Sequence, residues 1–556
     1  MIREYHVTMK DSHGRQPWPV RIRGDGGLVL GSGTLLGDRH VLTCAHVVDR
    51  AAGRRGAASV EPPAVRVLVD LVRLPHLAAR GARVAPGGWA PMAADGRGDV
   101  ALLELGDPVA GQPGARLRRL PLWQRPIYAF GFPKEFSEGE TVHAVLDGRV
   151  GPGNEQVQMI PANPGLWVRG GFSGAAAVDS ATGHVVGMIV AYYSDPAAGR
   201  SFMIPVETLL RHVPEVARWV VGGSSVDETL TVGSARPEDS GAAGLIAGFF
   251  SRSSARNVLV VVAGHPDSAV AAALRRAVVL SSPELRPPSA GPPGSGPPVP
   301  PLGSIELSLD AAGKPPREIA RRILEFAGAD APAGDPGADL LGAAAPRSVL
   351  IDGVDASTDP KGFVADVLGP IVDRAAERDL RVLLSFRGTA VDVRLDLLAR
   401  RLTALRAERA RAREQRRALA ERLTDVPAEP APTAGLRVAL TRLRAAAARS
   451  DAPPVPERLA DLERATDRAL HDAARLRRRL AELAHAHRQL RGLLDAQRAR
   501  ALAGGLTEHR ELGVAYRRAH DLLRGGPSPL AEATAAVYGY ADEVRRALGD
   551  RREGEP

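Results

Sequence analysis

The sequence predicts a multidomain chain in three architectural parts: an all-β unit, a smaller α/β unit with a parallel sheet, and an all-α helical region. Three observations predict it. The chain has 556 residues, more than one core serves. Short apolar runs broken by Gly and Pro turns fill residues 1–222. Beyond about Val391 the apolar residues recur at helical spacing.

The first part holds runs such as "GLVLGSGTLL", "HVLTCAHVV", "DVALLEL", "IYAFGFP" and "HVVGMIVAYY". Many short strands with turn signals between them predict a barrel or a sandwich. Residues 223–254 are rich in Gly and Ser and read as a linker. Residues 255–390 change pattern. "NVLVVVAG", "RSVLIDGVD" and "LRVLLSF" are continuous apolar runs of the parallel-sheet kind, with helical stretches between them. A Pro/Gly-rich insertion at 283–303 is expected to form a loop.

Residues 391–556 read as helical and partly coiled coil. Leu459, Leu462, Thr466, Ala469, Ala473, Leu476, Leu480, Leu483, His487, Leu490 and Leu494 alternate by three and four, a heptad seam over about five repeats. The Pro-rich stretch "DVPAEPAPTAG" divides it from an earlier helix. The two helices are expected either to fold back as an antiparallel hairpin or to pair with a partner, including a second copy.

Composition excludes several classes. Hydrophobic residues make up 44% and charged residues 25%, as in a soluble globular protein. The single cysteine, Cys44, excludes an internal disulfide framework or a Cys-based zinc site. No metal or other cofactor is expected. The net charge is +9, but its Arg residues lie among Glu and Asp on the C-terminal helices and read as solvated helix faces. Nucleic-acid binding is not expected, because no aromatic–basic platform accompanies the charge. The opening "MIREYHVTMKDSHGRQPWPV" has no apolar signal core, and no run of about 18 apolar residues occurs. No membrane partner and a cytoplasmic location are therefore expected.

Acyl transfer by serine needs a hydroxyl, an imidazole to take its proton and a carboxylate to orient that imidazole. It also needs N–H groups aimed at the developing oxyanion. "LTCAHVV" sets His46 at the end of an apolar strand. "GRGDVALLEL" sets Asp99 at the head of another. "GGFSG" sets Ser173 in a Gly-rich turn, where the N–H groups of Gly171 and Ser173 can face one space. Cys44, two residues before His46, reads as a small packed hydrophobe.

In this order and with these flanks, residues 25–210 resemble a trypsin-like (chymotrypsin-fold) serine peptidase, closer to the cytosolic bacterial HtrA-like branch than to the digestive enzymes. The motifs that carry the likeness are "GSGTLLGDRHVLTCAHVV", "GDVALLEL", "GGFSGAAAVD" and "GHVVGMIVAYYSDPAAGRSFMIPV". The resemblance implies a double β-barrel with His46 as general base, Asp99 as its orienting carboxylate and Ser173 as nucleophile. It also implies that substrate pairs along Val190, Ala191 and Tyr192, and that the primary pocket has its base near Trp167. No acid stands there, so a neutral or small side chain is expected before the cleaved bond. Digestive members carry Asp before the serine, where it pairs with a newly cut N-terminus. Phe172 cannot, so activation by N-terminal cleavage is not expected.

"VLVVVAGHPDSAVAAALRRAVVL" resembles the strand, loop and helix of a STAND-type P-loop NTPase. Gly264, Pro266 and Ser268 match that loop. Val270 replaces the phosphate-binding Lys and Ala271 the metal-binding hydroxyl. "SVLIDGVDAS" resembles the acidic strand, with Asp352 and Asp355, but Ala356 replaces the Glu that activates water. Gly313 and Lys314 do not restore the loop. A degenerate module without NTPase activity is implied. Together these readings predict a serine endopeptidase that acts on protein or peptide and is regulated by its C-terminal half, of the kind found in bacterial signalling or conflict systems. The alternative is a pseudoprotease scaffold that captures peptides without cutting them.

Overall fold

The computed structural model describes residues 16–24, 26–54, 59–163, 168–195, 200–232, 239–251, 254, 256–287, 298–329, 346–388, 390–448, 455–506 and 509–553. The chain divides into two compact units. One comprises Met1–Ser254, Val261–Ile371 and Leu380–Thr389; the other comprises Ala255–Val260, Val372–Asp379 and Ala390–Pro556.

The first unit begins with β1 (Pro19–Arg23), β2 (Val29–Leu36), β3 (His40–Thr43), helix α1 (Ala45–Ala51), β4 (Val67–Asp70), β5 (Arg80–Ala90) and β6 (Val100–Leu105). These six strands close into a barrel in the order β1-β2-β3-β6-β5-β4. Side chains alternate across its wall, so Val20, Ile22, Leu35, Val41, Val69 and Leu103 are fully buried.

Next come β7 (Leu117–Arg118), β8 (Pro126–Gly131), β9 (Glu140–Val150), β10 (Gln156–Pro161), β11 (Ala176–Asp179), β12 (Val185–Asp195), β13 (Arg200–Pro205), α2 (Val206–His212) and β14 (Val220–Val221). The order β11-β8-β9-β10-β13-β12, with a further β11–β12 pairing, closes a second six-stranded barrel, and β7 and β14 extend its edge. Its separate core is built from Ile127, Val142, Leu146, Val157, Met159, Phe172 and Ile189. The two antiparallel barrels thus match the expected double barrel.

The Gly/Ser-rich stretch expected as a linker carries structure. Asp227 receives Lys314 Nζ at 2.7 Å and Arg322 at 3.1 Å. Helix α3 (Ser240–Phe250) is capped by Asp239 and buries Ile246, Phe249 and Phe250. Short side chains hid that helix, whose stability comes from its apolar face rather than its propensity.

A four-stranded sheet follows, in the order β15 (Val258–Val262), β18 (Arg381–Phe386), β17 (Ser348–Asp352), β16 (Leu307–Asp310). The β16–β17 and β17–β18 pairings are parallel, as their continuous apolar runs require. Helices α4 (Ala269–Ser281) and α5 (Pro316–Ala327) belong to this α/β part. Residues 288–297 of the Pro/Gly-rich insertion lie outside the described residues.

The second unit is helical: Val391–Ala420, Ala434–Ala447, Val455–Ala503, Arg510–Arg524 and Leu530–Glu553. The heptad seam on the 49-residue helix is spent inside this unit, with Leu459, Ala473, Leu480 and Leu494 at most 1% exposed. The helix Val391–Ala420 is its partner, but not as the antiparallel hairpin that was one of the two expected arrangements. Arg394 meets Glu463, Arg401 meets Asp467 and Glu408 meets Arg477, so residue numbers rise together and the two helices run parallel. Ala434–Ala447 makes the return between them. These charges also correct the reading of the helical Arg residues as solvated. Arg394, Arg401 and Arg409 are buried, the first in a bidentate pair with Glu463 at 3.0 and 2.8 Å.

Removing one member of such a pair leaves a buried charge without its partner. Arg401→Met is expected to destabilise the helical unit by about 3–5 kcal/mol. Asp467→Leu added to it is expected to restore only part of that loss, because Asp467 also accepts the buried Val258 N–H at 3.4 Å and faces Arg256 at 3.9 Å. Denaturant unfolding of the three proteins measures both effects.

Candidate active site

His46 sits in the first turn of α1, directly after β3. Asp99 immediately precedes β6, which pairs with β3, so barrel closure alone brings the two segments side by side. Asp99 adopts a left-handed backbone, φ 70°, a conformation Asp tolerates better than most residues. That turn directs its buried carboxylate at His46. Oδ2 lies 2.7 Å from the ring Nδ1, and Oδ1 accepts the backbone N–H of His46 at 2.9 Å. Two contacts to one carboxylate fix both the position and the rotation of the imidazole.

Ser173 is buried in the turn before β11 and is held from the first barrel. Its carbonyl accepts the N–H of Ser32 at 2.8 Å, and the Ser32 carbonyl in turn accepts the Thr43 hydroxyl at 2.8 Å. The carbonyl of Ile189 joins the two segments again. It accepts the N–H of Gly174 at 2.9 Å and the thiol of Cys44 at 3.4 Å. One oxygen thus bridges the residue after Ser173 and the residue two before His46.

The Gly171–Phe172 turn is equally held. The Gly171 carbonyl accepts the Ser32 hydroxyl at 2.6 Å and the Phe132 N–H at 3.2 Å, while the Phe172 N–H donates to the Arg169 carbonyl at 3.1 Å. Gly171 has φ 104°, and a Cβ there would stand 2.2 Å from the Phe132 carbonyl oxygen, so only glycine fits. Phe172 is fully buried in the second barrel, its ring seated over Gly131, whose absent Cβ would lie 2.4 Å from it. Burying such a ring stabilises the loop by about 1.5–3 kcal/mol.

Donor atoms of Cys44, His46 and Asp99 lie within 4.8 Å of one another, a spacing that also suits a metal. The chemistry of the donors does not suit one. A thiol ligates as thiolate, whereas burial, reinforced by the Asp99 charge, pushes the Cys44 thiol well above its usual range. Both Asp99 oxygens are already committed to His46. The set fits proton transfer through the imidazole.

The expected substrate strand is β12. Val190 is buried there and pairs with Phe202 of β13. Ala191 and Tyr192 continue the strand; their side chains, and Trp167, lie outside the described residues. In the α/β part, Gly264 (φ 76°) follows β15, and Ser268 caps α4 by accepting the Ala271 N–H at 3.1 Å. Val270 lies in the first turn of that helix. Asp355 accepts the N–H groups of Arg387 and Gly388, each at 2.7 Å. Asp352 faces the Arg387 side chain at 3.7 Å. Arg387 thus engages both carboxylates.

Residues 31–188, which lie within the two barrels, match the family model of the trypsin-like peptidase domain. No curated protein matches the chain. Among solved structures it is similar to the Rv3671c protease in its inactive form, at 19% identity over 38% of this chain and 94% of that one, with a TM-score of 0.27. A serine-to-alanine mutant of Rv3671c from M. tuberculosis H37Rv, also inactive, gives 18%, 38%, 92% and 0.27. The MamO protease domain of Magnetospirillum magneticum in its apo form gives 15%, 36%, 97% and 0.25.

The site yields two expectations. Native Cys44 is expected to resist alkylation by iodoacetamide at pH 8, where an unperturbed thiol already reacts, and to react fully once unfolded; mass spectrometry reads this. Phe172→Ala is expected to cost about 3–5 kcal/mol and Phe172→Asp more, because it buries an unpaired carboxylate. Thermal unfolding of the first unit measures the difference.

Proposed function

We propose that the double barrel is a serine endopeptidase that works through an acyl-enzyme, with His46, Asp99 and Ser173 as its triad. The observation that carries this reading is the double grip of Asp99 on His46, within a frame whose Ile189 carbonyl also holds the Ser173 turn. In the reaction, Ser173 Oγ attacks the peptide carbonyl carbon and its proton passes to His46 Nε2. The N–H groups of Gly171 and Ser173 receive the developing oxyanion. Collapse breaks the C–N bond, and His46 returns the proton to the leaving amine. Water then repeats the sequence on the ester. No step calls on a metal or an organic cofactor.

The substrate in this reading is a protein or peptide with a neutral or small side chain before the scissile bond, lying along β12. Among the described residues no helix is long and apolar enough to cross a membrane. A cytosolic location is part of this proposal and does not rest on that absence. The α/β and helical parts act as its regulator rather than as an NTPase, because Val270 and Ala271 supply neither charge nor metal ligand. That arrangement suits a bacterial signalling or conflict system in which the C-terminal helices receive a partner protein.

A fluorophosphonate probe is expected to label the full chain and not Ser173→Ala. Asp99→Asn is expected to lower kcat about 10⁴-fold with the fold intact. Equal labelling of the parent and Ser173→Ala, or none of the parent, would favour a peptide-binding scaffold instead.

A further inference from the structure

Within the first unit, the end of one helix of the α/β part is tied through an arginine to β11, the strand that follows Ser173. Helix α5 ends at Ala327, where the last carbonyls of a helix lack intrahelical donors and carry its negative end. Two arginines from the second barrel supply donors there. Arg118 Nη2 reaches the Glu325 carbonyl at 2.8 Å, and Arg125 Nη2 reaches the Ala327 carbonyl at 3.1 Å.

Arg125 is a buried residue with three duties. Besides Ala327, it donates to the Pro121 carbonyl at 2.6 Å and to Asp179 Oδ1 at 2.9 Å. Asp179 is fully buried and is the last residue of β11, whose chain runs back in six steps to Ser173. Its other oxygen accepts the N–H and hydroxyl of Thr182, at 2.8 and 2.7 Å. Thr182 in turn borders the helix end, since a Cβ on Gly328 would stand 3.2 Å from its Cγ2 and 3.1 Å from Leu120. Gly328 has φ 85°, the left-handed turn that ends α5. From Ala327 the path is therefore continuous: helix carbonyl, Arg125, Asp179, β11, Ser173.

We propose that Arg125 and Asp179 are positioning residues, through which the docked end of α5 holds the nucleophile strand in its reactive place. The proposal rests on the peptidase reading. It makes the α/β part a structural brace for acylation, with no nucleotide required. A small slip of β11 moves Ser173 Oγ relative to His46, and roughly 1 Å of misplacement costs about a hundredfold in rate. β11 pairs with β12 at Val185, Gly187 and Met188, before Val190 is reached, so the effect is expected to fall mainly on the chemical step.

The test uses the full chain with three changes: Arg125→Met, Arg125→Lys and Gly328→Val. The last strains the α5 turn from the far side and leaves both clamp residues intact. Arg125→Met and Gly328→Val are expected to slow fluorophosphonate acylation of Ser173 about tenfold, with peptide KM within about twofold. Arg125→Lys, which keeps the charge beside Asp179, is expected to recover part of the loss. Equal acylation rates in parent, Arg125→Met and Gly328→Val would overturn the proposal while leaving the peptidase reading in place.

Hydrogen exchange at the amides of Ala175–Asp179 reads the brace without catalysis, in the same proteins carrying Ser173→Ala. Faster exchange in Arg125→Met and Gly328→Val supports the brace, even if the parent never labels and the peptidase reading falls. Unchanged exchange overturns it. Should Arg125→Met fail to fold, Gly328→Val and Arg118→Gln, which removes only a helix-end contact, carry the comparison.

Discussion

The grip of Asp99 on His46 is the constraint around which the first barrel is organised. A buried carboxylate needs donors to offset its desolvation, and a single histidine supplies Asp99 with one for each oxygen. That economy demands a left-handed backbone at Asp99, pairing of β3 with β6, and a helix starting at Ala45 so that the His46 N–H points at the carboxylate. Loss of any of these would leave a charge buried without its partner. The barrel and the imidazole geometry therefore stand or fall together.

The second barrel brings Ser173 to this fixed point through shared carbonyls. Ser32 reaches across to Gly171 and Ser173, Cys44 reaches Ile189 behind them, and Thr43 braces Ser32 from within the first barrel. Such contacts are individually modest, about 1 kcal/mol each. Their value is directional, since each removes a way for one barrel to slide on the other. Cys44 shows this best: its burial makes it useless as a thiolate and useful as a small donor.

Much of this was legible in the sequence, and the remainder was hidden for definable reasons. His46, Asp99 and Ser173 stand out because each needs a local turn that only a few residue types build, and those types are written beside them. The parallel sheet was legible from its unbroken apolar runs. What escaped were pairings set by the tertiary fold. Ile189 lies 145 residues from Cys44, and Arg125 lies 54 from Asp179; nothing local marks either pair. The helical Arg residues misled for the same reason, because a charge on a heptad helix looks solvated until its partner on the parallel neighbour is known. Helix α3 hid behind its glycines and serines.

Phe172 shows what a buried ring offers a loop that a charged residue does not. An acid at that position forms an ion pair whose strength depends on protonation and on a partner created by cleavage. A buried phenyl ring depends on neither. It holds the Gly171–Ser173 backbone as long as the second barrel stays packed, so the loop inherits the stability of that core. Control over such a site has to act on packing. In the proposed reading, the element able to do so is the Arg-capped end of α5, which meets the second barrel from outside.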